Sequence, residues 1–384
     1  MTRLKYIIEQ LCPDGVEYKT LGEIATISRG GSFQKKHFVD SGVPCIHYGQ
    51  IYTRYGLFAH EALTYISYEV AEKQRFAQPN DIVMAVTSEN IEDVCKCVVW
   101  LGDTSVAVSG HSAIIHHSQN AKFLAYYFHS SMFFAQKRKI AQGTKVIEVS
   151  PEKLNRVTIP IPPLEVQAEI VRILDKFTEL TTELATELAN RKKQFEYYRN
   201  NLLTFNTNVE MKKLKDVSES IASGKNKNRS ESGKYPVYGS TGIIAKTNVP
   251  VFSKKQILVA RVGANAGYVH IADGEYDVSD NTLIIDIKTG YSIKYIYHYL
   301  VNKNLNQFAK GGGQPLITAG QLKELQLPVP NIEVQERIVN VLDSFDAICC
   351  DLNIGLPAEI EARQKQYEYY RDKLLSFKKG EDDL

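Results

Sequence analysis

Three stretches of the chain carry residue types that could do chemistry of their own. Pro13-Asp14 followed by Glu17-Tyr18-Lys19 has the letters of a nuclease carboxylate–lysine set. Metal-dependent cleavage needs both carboxylates to converge on one ion; two intervening residues are too few, and Pro-Asp-Gly is a turn signal. Cys95-Lys96-Cys97 has the wrong spacing for a zinc pair, and no second pair appears. Arg261-Val262-Gly263-Ala264-Asn265-Ala266-Gly267 lacks the Gly-Lys-Ser/Thr end of a phosphate loop and reads as a tight turn. The Asn/Asp-Pro-Pro-Tyr/Phe sequence of an amino-methyltransferase is not found, so the reading assigns no catalytic, metal or cofactor-binding residue. Two groups of side chains are candidates for contact with a partner; were that partner DNA, Arg and Lys could pair with guanine and phosphate, and Asn and Gln with adenine. One group of candidates is Arg29, Gln34, Lys35, Lys36, His47, Tyr48, Arg54, Ser88, Asn90, His111 and Lys145. The other is Lys225, Asn226, Lys227, Asn228, Arg229, Tyr238, Ser240, Arg261, Asn265, Asn281 and Gln314, densest from Lys225 to Arg229.

These two groups fall in two blocks that share a frame. The first opens at Lys19-Thr20-Leu21-Gly22-Glu23-Ile24 and closes at Ile159-Pro160-Ile161-Pro162-Pro163; the second opens at Lys212-Lys213-Leu214-Lys215-Asp216-Val217 and closes at Leu327-Pro328-Val329-Pro330. The openings are 193 positions apart (Leu21 to Leu214) and the closings 168 (Pro160 to Pro328), so the first block is 25 residues longer. Within them 81–86, 113–115, 256–261 and 282–285 are predicted as short buried strands, and 123–128 and 293–300 as matching helices. Each helix leads to a Gly-bearing polar loop, Gln142-Gly143-Thr144-Lys145 or Gly311-Gly312-Gly313-Gln314. Both blocks therefore read as α/β domains with a largely antiparallel or mixed sheet.

Between and after the blocks the same helix is written twice. Ten of fifteen positions are identical between Arg191-Lys192-Lys193-Gln194-Phe195-Glu196-Tyr197-Tyr198-Arg199-Asn200-Asn201-Leu202-Leu203-Thr204-Phe205 and the stretch from Arg363 to Phe377. Upstream, Glu165-Val166-Gln167 and Leu174-Asp175-Lys176-Phe177 recur as Glu333-Val334-Gln335 and Leu342-Asp343-Ser344-Phe345. Apolar residues at 173, 177, 180, 184, 188, 195, 198 and 202 form a coiled-coil seam. A helix from about Leu164 to Thr204 spans roughly 60 Å, and the other copy is the natural partner for its seam. Thr178-Glu179-Leu180, Thr182-Glu183-Leu184 and Thr186-Glu187-Leu188 repeat every four residues, a step of roughly 6 Å that nearly keeps the helix face. The second copy has Asn353-Ile354-Gly355-Leu356-Pro357 instead, which should break or kink it.

Charge separates the parts. Residues 19–159 hold 15 Lys and Arg against 12 Asp and Glu, and 210–330 hold 16 against 10, whereas 164–208 hold 6 against 7 and 331–384 hold 7 against 12. The blocks are basic and the helices are not, which suggests a polyanion partner for the blocks. No run approaches the ~18 apolar residues of a membrane span, the first residues lack a signal-peptide core, and six scattered cysteines show no disulfide framework. A reducing cytoplasm is expected.

The Pro-rich closings, the Glu-Val-Gln and Leu-Asp-x-Phe pairs, the Thr-x-Glu-Leu tetrads and the two Tyr-Tyr-Arg helices resemble the specificity subunits of type I restriction–modification systems. The tetrads resemble one subgroup, in which repeat number sets the spacing between half-sites. The resemblance implies two target recognition domains separated by two long helices packed as an antiparallel coiled coil, with a pseudo-two-fold internal repeat. It places recognition domain one at 1–160, the first spacer helix at 161–208, recognition domain two at 209–328, the second spacer helix at 329–378, kinked near 355–357, and a tail at 379–384. Each domain would read one half of a bipartite, asymmetric double-stranded DNA target. Two methylation subunits would dock and methylate adenine with S-adenosylmethionine, which they and not this chain would bind. Restriction subunits could join, no membrane is involved, and the chain itself is not an enzyme. Two other readings stay open: a DNA-modifying enzyme with degenerate motifs, and a coiled-coil scaffold whose blocks bind protein.

Overall fold

The computed structural model describes residues 2–205, 209–227, 230–311, 314–351 and 354–380. The chain forms two compact units, Met1–Glu183 with Glu361–Leu384, and Leu184–Ile360. Each unit thus takes one block and part of both helical repeats.

In the first unit, the opening strand Glu17–Thr20 pairs antiparallel with the closing strand Thr158–Ile161, Lys19 opposite Ile159, so the block begins and ends at one place. A five-stranded sheet follows in the order Ala25–Arg29, Ser112–His117, Ile82–Ala85, Cys97–Trp100, Phe58–Ala59. A second runs Phe38–Val39, Thr64–Ile66, Val43–Ile46, Val106–Val108, Arg75–Ala77. The strand Ile82–Ala85 is buried throughout. Ile82 and Met84 face a core shared with the helix Ala121–Phe128. Val83 and Ala85 face one shared with Ile46, Val106 and Val108 of the other sheet. Burial on both faces is why this stretch is a continuous apolar run rather than an alternation.

The second unit repeats the plan on a smaller scale. Met211–Lys213 pairs antiparallel with Gln326–Pro328. A four-stranded sheet runs Ser218–Ser223, Thr282–Ile287, Gln256–Ala260, Val269–Ala272, and a three-stranded one Gly242–Thr247, Tyr235–Gly239, Asp277–Val278. Ile257 and Val259 pack towards the helix Ile293–Asn302, while Leu258 packs with Tyr276 and Val278. The second sheet has three strands here against five in the first unit, which accounts for much of the difference in block length.

The first helical repeat is unbroken over Leu164–Leu202, 39 residues. The second is interrupted: Ile332–Cys350 ends and Leu356–Leu374 begins. A Cβ on Gly355 would lie 2.6 Å from the Ala347 carbonyl oxygen and 2.7 Å from that of Asp351, so the turn closes only around a glycine. Pro357 then falls in the first turn of the next helix, where a missing N–H leaves nothing unpaired. The expected break is a full interruption between two helices.

Within each unit the helical segments run antiparallel. In the first, Phe177 stacks on Tyr370 with centroids 5.4 Å apart, and Thr181 and Thr182 line one cavity with Gln364 and Tyr367. In the second, Phe345 stacks on Phe195 at 5.9 Å and on Tyr198 at 5.4 Å. Phe177 and Phe345 are the same position of the repeat, as are Tyr370 and Tyr198, so one contact is made twice by exchanged partners. The helices grip the blocks through a buried glutamine: the Asn120 amide donates to Gln167 Oε1 (3.0 Å) and Gln167 Nε2 to the Pro162 carbonyl (2.8 Å). Gln335 does the same with Ser292 (2.9 Å) and Pro330 (2.8 Å). A buried amide is tolerated only when bonded in this way. Asp175 likewise accepts from Lys122 (2.7 Å) and Tyr126 (2.6 Å), and Asp343 from Lys294 and His298 (3.0 Å).

Candidate nucleic-acid interface

The loops that carry the candidate readers are tied together by main-chain hydrogen bonds. In the first unit Gly30 N–H donates to Ser112 O (3.0 Å), Gly31 to Val108 (2.7 Å), Ser109 to Ile46 (3.1 Å), Val86 to His111 (2.9 Å) and Val149 to Val86 (3.0 Å). In the second, Gly224 donates to Thr282 (2.9 Å), Asn226 to Val278 (3.0 Å), Ser279 to Tyr238 (2.8 Å), Arg261 to Asn281 (2.9 Å) and Ile317 to Arg261 (2.8 Å). This is one lattice built twice. It needs glycine where the first strand crosses it: a Cβ would stand 2.2 Å from Ser109 O at Gly30, and 2.4 Å from Ser279 O at Gly224. The side chains differ where it repeats: Val86, buried in the core, and exposed His111 in one unit, half-buried Arg261 and Asn281 in the other.

In the first unit Arg29, Tyr48, Ser88 and His111 come together. Arg29 Nε donates to Gly110 O (3.0 Å), and its guanidinium is ion-paired with Glu148. His111 Nδ1 is 3.2 Å from Thr87 Oγ1, and its ring lies 4.9 Å from that of Tyr48. The Tyr48 amide donates to Ser109 Oγ (2.8 Å) at the start of the helix Tyr48–Thr53. Ser88 follows Thr87 in a two-residue strand and pairs with Ile147. Gln34, Lys35 and Lys36 are exposed on a short 3-10 turn, Lys35–His37, at the rim. Lys145 is exposed in a loop closed by pairing of Gln142 with Glu148. Arg54 is exposed at the opposite end of the Tyr48 helix.

Two candidates are committed to the fold. His47 is buried, its Nδ1 accepts the Gly49 amide (3.2 Å), and its ring packs on Phe38 and Tyr48. Burial first, then the charges of Lys35 and His111, hold its pKa down to about 4, so it is a neutral helix cap rather than a cationic reader. Asn90 closes a turn with Asp93, accepting its amide (2.7 Å) and donating to its carboxylate (2.8 Å).

In the second unit Arg261 Nη1 donates to Ser223 Oγ (3.3 Å), and Asn281 lies beside it through the lattice bond. Tyr238 has His270 and Tyr276 as ring neighbours, each 5.5 Å away. Asn226 donates to the Asp277 carboxylate (2.5 Å). Lys225, Lys227, Asn265 and Gln314 are exposed, and Ser240 sits in the turn of the hairpin joining Tyr235–Gly239 to Gly242–Thr247. Asn228 and Arg229 lie outside the described residues.

Other residues on these faces escaped the sequence reading. Glu148 and Arg75 flank Arg29, the latter donating to its carbonyl (3.2 Å). Glutamate on a basic face is itself a reader type, accepting from cytosine N4. Tyr268 is 59% exposed and its ring lies 5.8 Å from that of His270; its place after Gly267, in a loop read only as a turn, hid it. Of the earlier chemistry candidates, Glu17 pairs with Lys19 at 3.0 Å on the opening strand, and burial pushes the Cys95 thiol up to about 12. Among the described residues no three His, Cys, Asp or Glu side chains converge as a metal site requires. The face presents cations, amides and rings for contact.

The sequence pattern of the type I restriction modification DNA specificity domain matches residues 13–193 and again 206–362, so the class is that of a protein with two DNA specificity domains. The chain belongs to the specificity subunits of type I restriction–modification enzymes. It is 28% identical over 369 residues to the type I restriction enzyme EcoprrI specificity subunit of Escherichia coli, covering 91% of this chain and 92% of that one. It is 37% identical over 266 residues, 61% of this chain and 66% of the relative, to the EcoR124I/EcoR124II specificity subunit of the same organism. Its fold matches that of a specificity subunit from M. genitalium with a TM-score of 0.59 at 16% identity, covering 94% of this chain and 96% of that one. A chain solved in work on complex assembly and conformational transition of the type I system matches with a TM-score of 0.63 at 15% identity, over 94% and 98%.

Proposed function

We propose that each unit reads one half of a bipartite, asymmetric DNA target, and that the repeated helices dock two methylation subunits. Those partners would bind S-adenosylmethionine and methylate adenine; restriction subunits could join them in the cytoplasm, and this chain would supply recognition alone. The observation that carries the reading is the lattice built twice with different side chains: one frame, two sequence readers. The docking half is supported by the opposite pattern on the helices. Tyr197 and Tyr369, equivalent in the repeat, are 63% and 61% exposed. Identical exposed rings suit two copies of one partner.

Mapping methylated adenines in cells that carry the system tests this, and a split motif with two unlike halves is expected. Deleting Thr182 to Ala185 removes one four-residue step, roughly 6 Å, from a helix that is continuous there. The spacer should shorten while both half-sites keep their bases. Altered half-site bases in that variant, or methyl transfer by the purified chain alone, would overturn the reading.

A further inference from the structure

We infer that Lys137 is a positioning residue for the first half-site, its buried ammonium pinning the 88–95 loop behind the Asn90–Asp93 turn and so placing Ser88 on the reading face. This rests on the recognition role proposed above. The loop leaves the face at Ser88, turns at Asn90–Asp93, and comes back through Cys95 to the strand Cys97–Trp100. Cys95 is buried with φ of +67°, in the left-handed region that non-glycine residues avoid. Such a conformation is unfavourable for a residue with a Cβ and persists only where its surroundings fix it. Its own amide donates to Ala85 O (2.8 Å). The peptide before it is held by Lys137, whose Nζ donates to Val94 O (2.8 Å) and Glu92 O (3.0 Å).

Lys137 is only 5% exposed, on the helix Ser131–Ile140, with its ammonium 4.9 Å from the Phe134 ring centre. Burial lowers its pKa, with Glu92 and Asp93 opposing. An apolar side chain would fill that space at less cost in desolvation. The ammonium is explained by the two carbonyls it holds.

The second unit meets the same need without a charge. Gly267 takes the place of Cys95 in the lattice: its amide donates to Ala260 O (2.8 Å) and its φ is +94°. A Cβ there would lie 2.4 Å from the Asn306 amide nitrogen, so the backbone packs directly on it. Asn306 Nδ2 donates to Ala266 O (2.9 Å), the carbonyl that corresponds to Val94. Both loops are therefore pinned from behind at the peptide before a left-handed residue, one by lysine and one by asparagine.

The test measures DNA affinity of the full chain with its methylation subunits, on duplexes carrying single base changes in either half-site. Lys137→Met should lose about tenfold in discrimination at the first half-site and keep wild-type discrimination at the second. Lys137→Gln, which retains one donor, should recover part of it. Asn306→Ala should show the mirror effect, confined to the second half-site. Unchanged first-half discrimination in folded Lys137→Met, or equal loss at both halves in Lys137→Gln, overturns the inference. Should Lys137→Met fail to fold, Lys137→Gln and Asn306→Ala decide it. A wild-type complex that discriminates at neither half would instead refute the recognition role itself.

Discussion

Where the lattice of the first unit sets Val86 beside His111, that of the second sets Arg261 beside Asn281, on the same pair of main-chain bonds. Arg29 of the first unit is ion-paired with Glu148, whereas Arg261 of the second leans on a serine hydroxyl. The same split runs through the supports: a charged lysine and a strained cysteine behind one loop, an asparagine and a glycine behind the other. The difference teaches that the side chains of this face are separable from the fold. Main-chain bonds and buried glutamines keep the frame, and the side chains on it differ between the units; on the proposed function, that is what would let each unit read a different sequence.

The comparison breaks most sharply in the shared core. Leu174 and Leu342, equivalent in the repeat and both fully buried, should each cost about 2–5 kcal/mol as Leu→Ala. Hydrogen exchange should place each loss in its own unit; destabilisation spread evenly over both would show that the units are not independent modules. Arg261→Ala should follow, with about 2 kcal/mol of lost discrimination at the second half-site and none at the first, measured by competition binding. Loss at both halves would dissolve the separation argued here.

Acid should sharpen the contrast with a smaller effect. Burial holds His47 and His129, both in the first unit, at about 4. Between pH 6.5 and 4 the unfolded chain binds protons that these folded histidines refuse, so their contribution to stability falls as pH falls through that window. The cost is about 1–2 kcal/mol per histidine at pH 5. Burial also lowers His117 in the first unit and His270 in the second, so more acid-sensitive histidines lie in the first. Melting followed by unit-resolved exchange should show the first unit loosening earlier on acidification, and His47→Gln should remove part of that slope. A pH-independent first unit would count against the burial argument.

Much of the frame was legible in the sequence because its causes are local. Ile82–Ala85 and Gln256–Ala260 are buried on both faces and so read as apolar runs; Gly355 and Pro357 announce a break that the chain makes in full. The reading face was harder. His47 has the residue type of a reader, but packing made it a cap. Arg29 is occupied by a carboxylate 119 residues on, which no spacing rule connects to it. The lattice itself is made of main-chain bonds, and only Gly30 and Gly224 betray it by type. The exchange of helix halves was implicit in the duplicated segments, but the boundaries at Glu183 and Ile360 follow from packing.

One of the two units is a single stretch of chain and the other is not. Leu184–Ile360 contains all of its own parts. The first unit is finished by the C-terminal segment: Val16 N–H donates to Lys378 O (3.0 Å), Gly380 to Val16 O (3.1 Å) and Tyr18 OH to Phe377 O (2.8 Å), while Leu374 and Leu375 enter its core. On the ribosome the block made first is thus completed last. Its core face, from Leu4 to Leu174, waits through synthesis of the whole second unit, and that interval is when this protein is most exposed to misassembly.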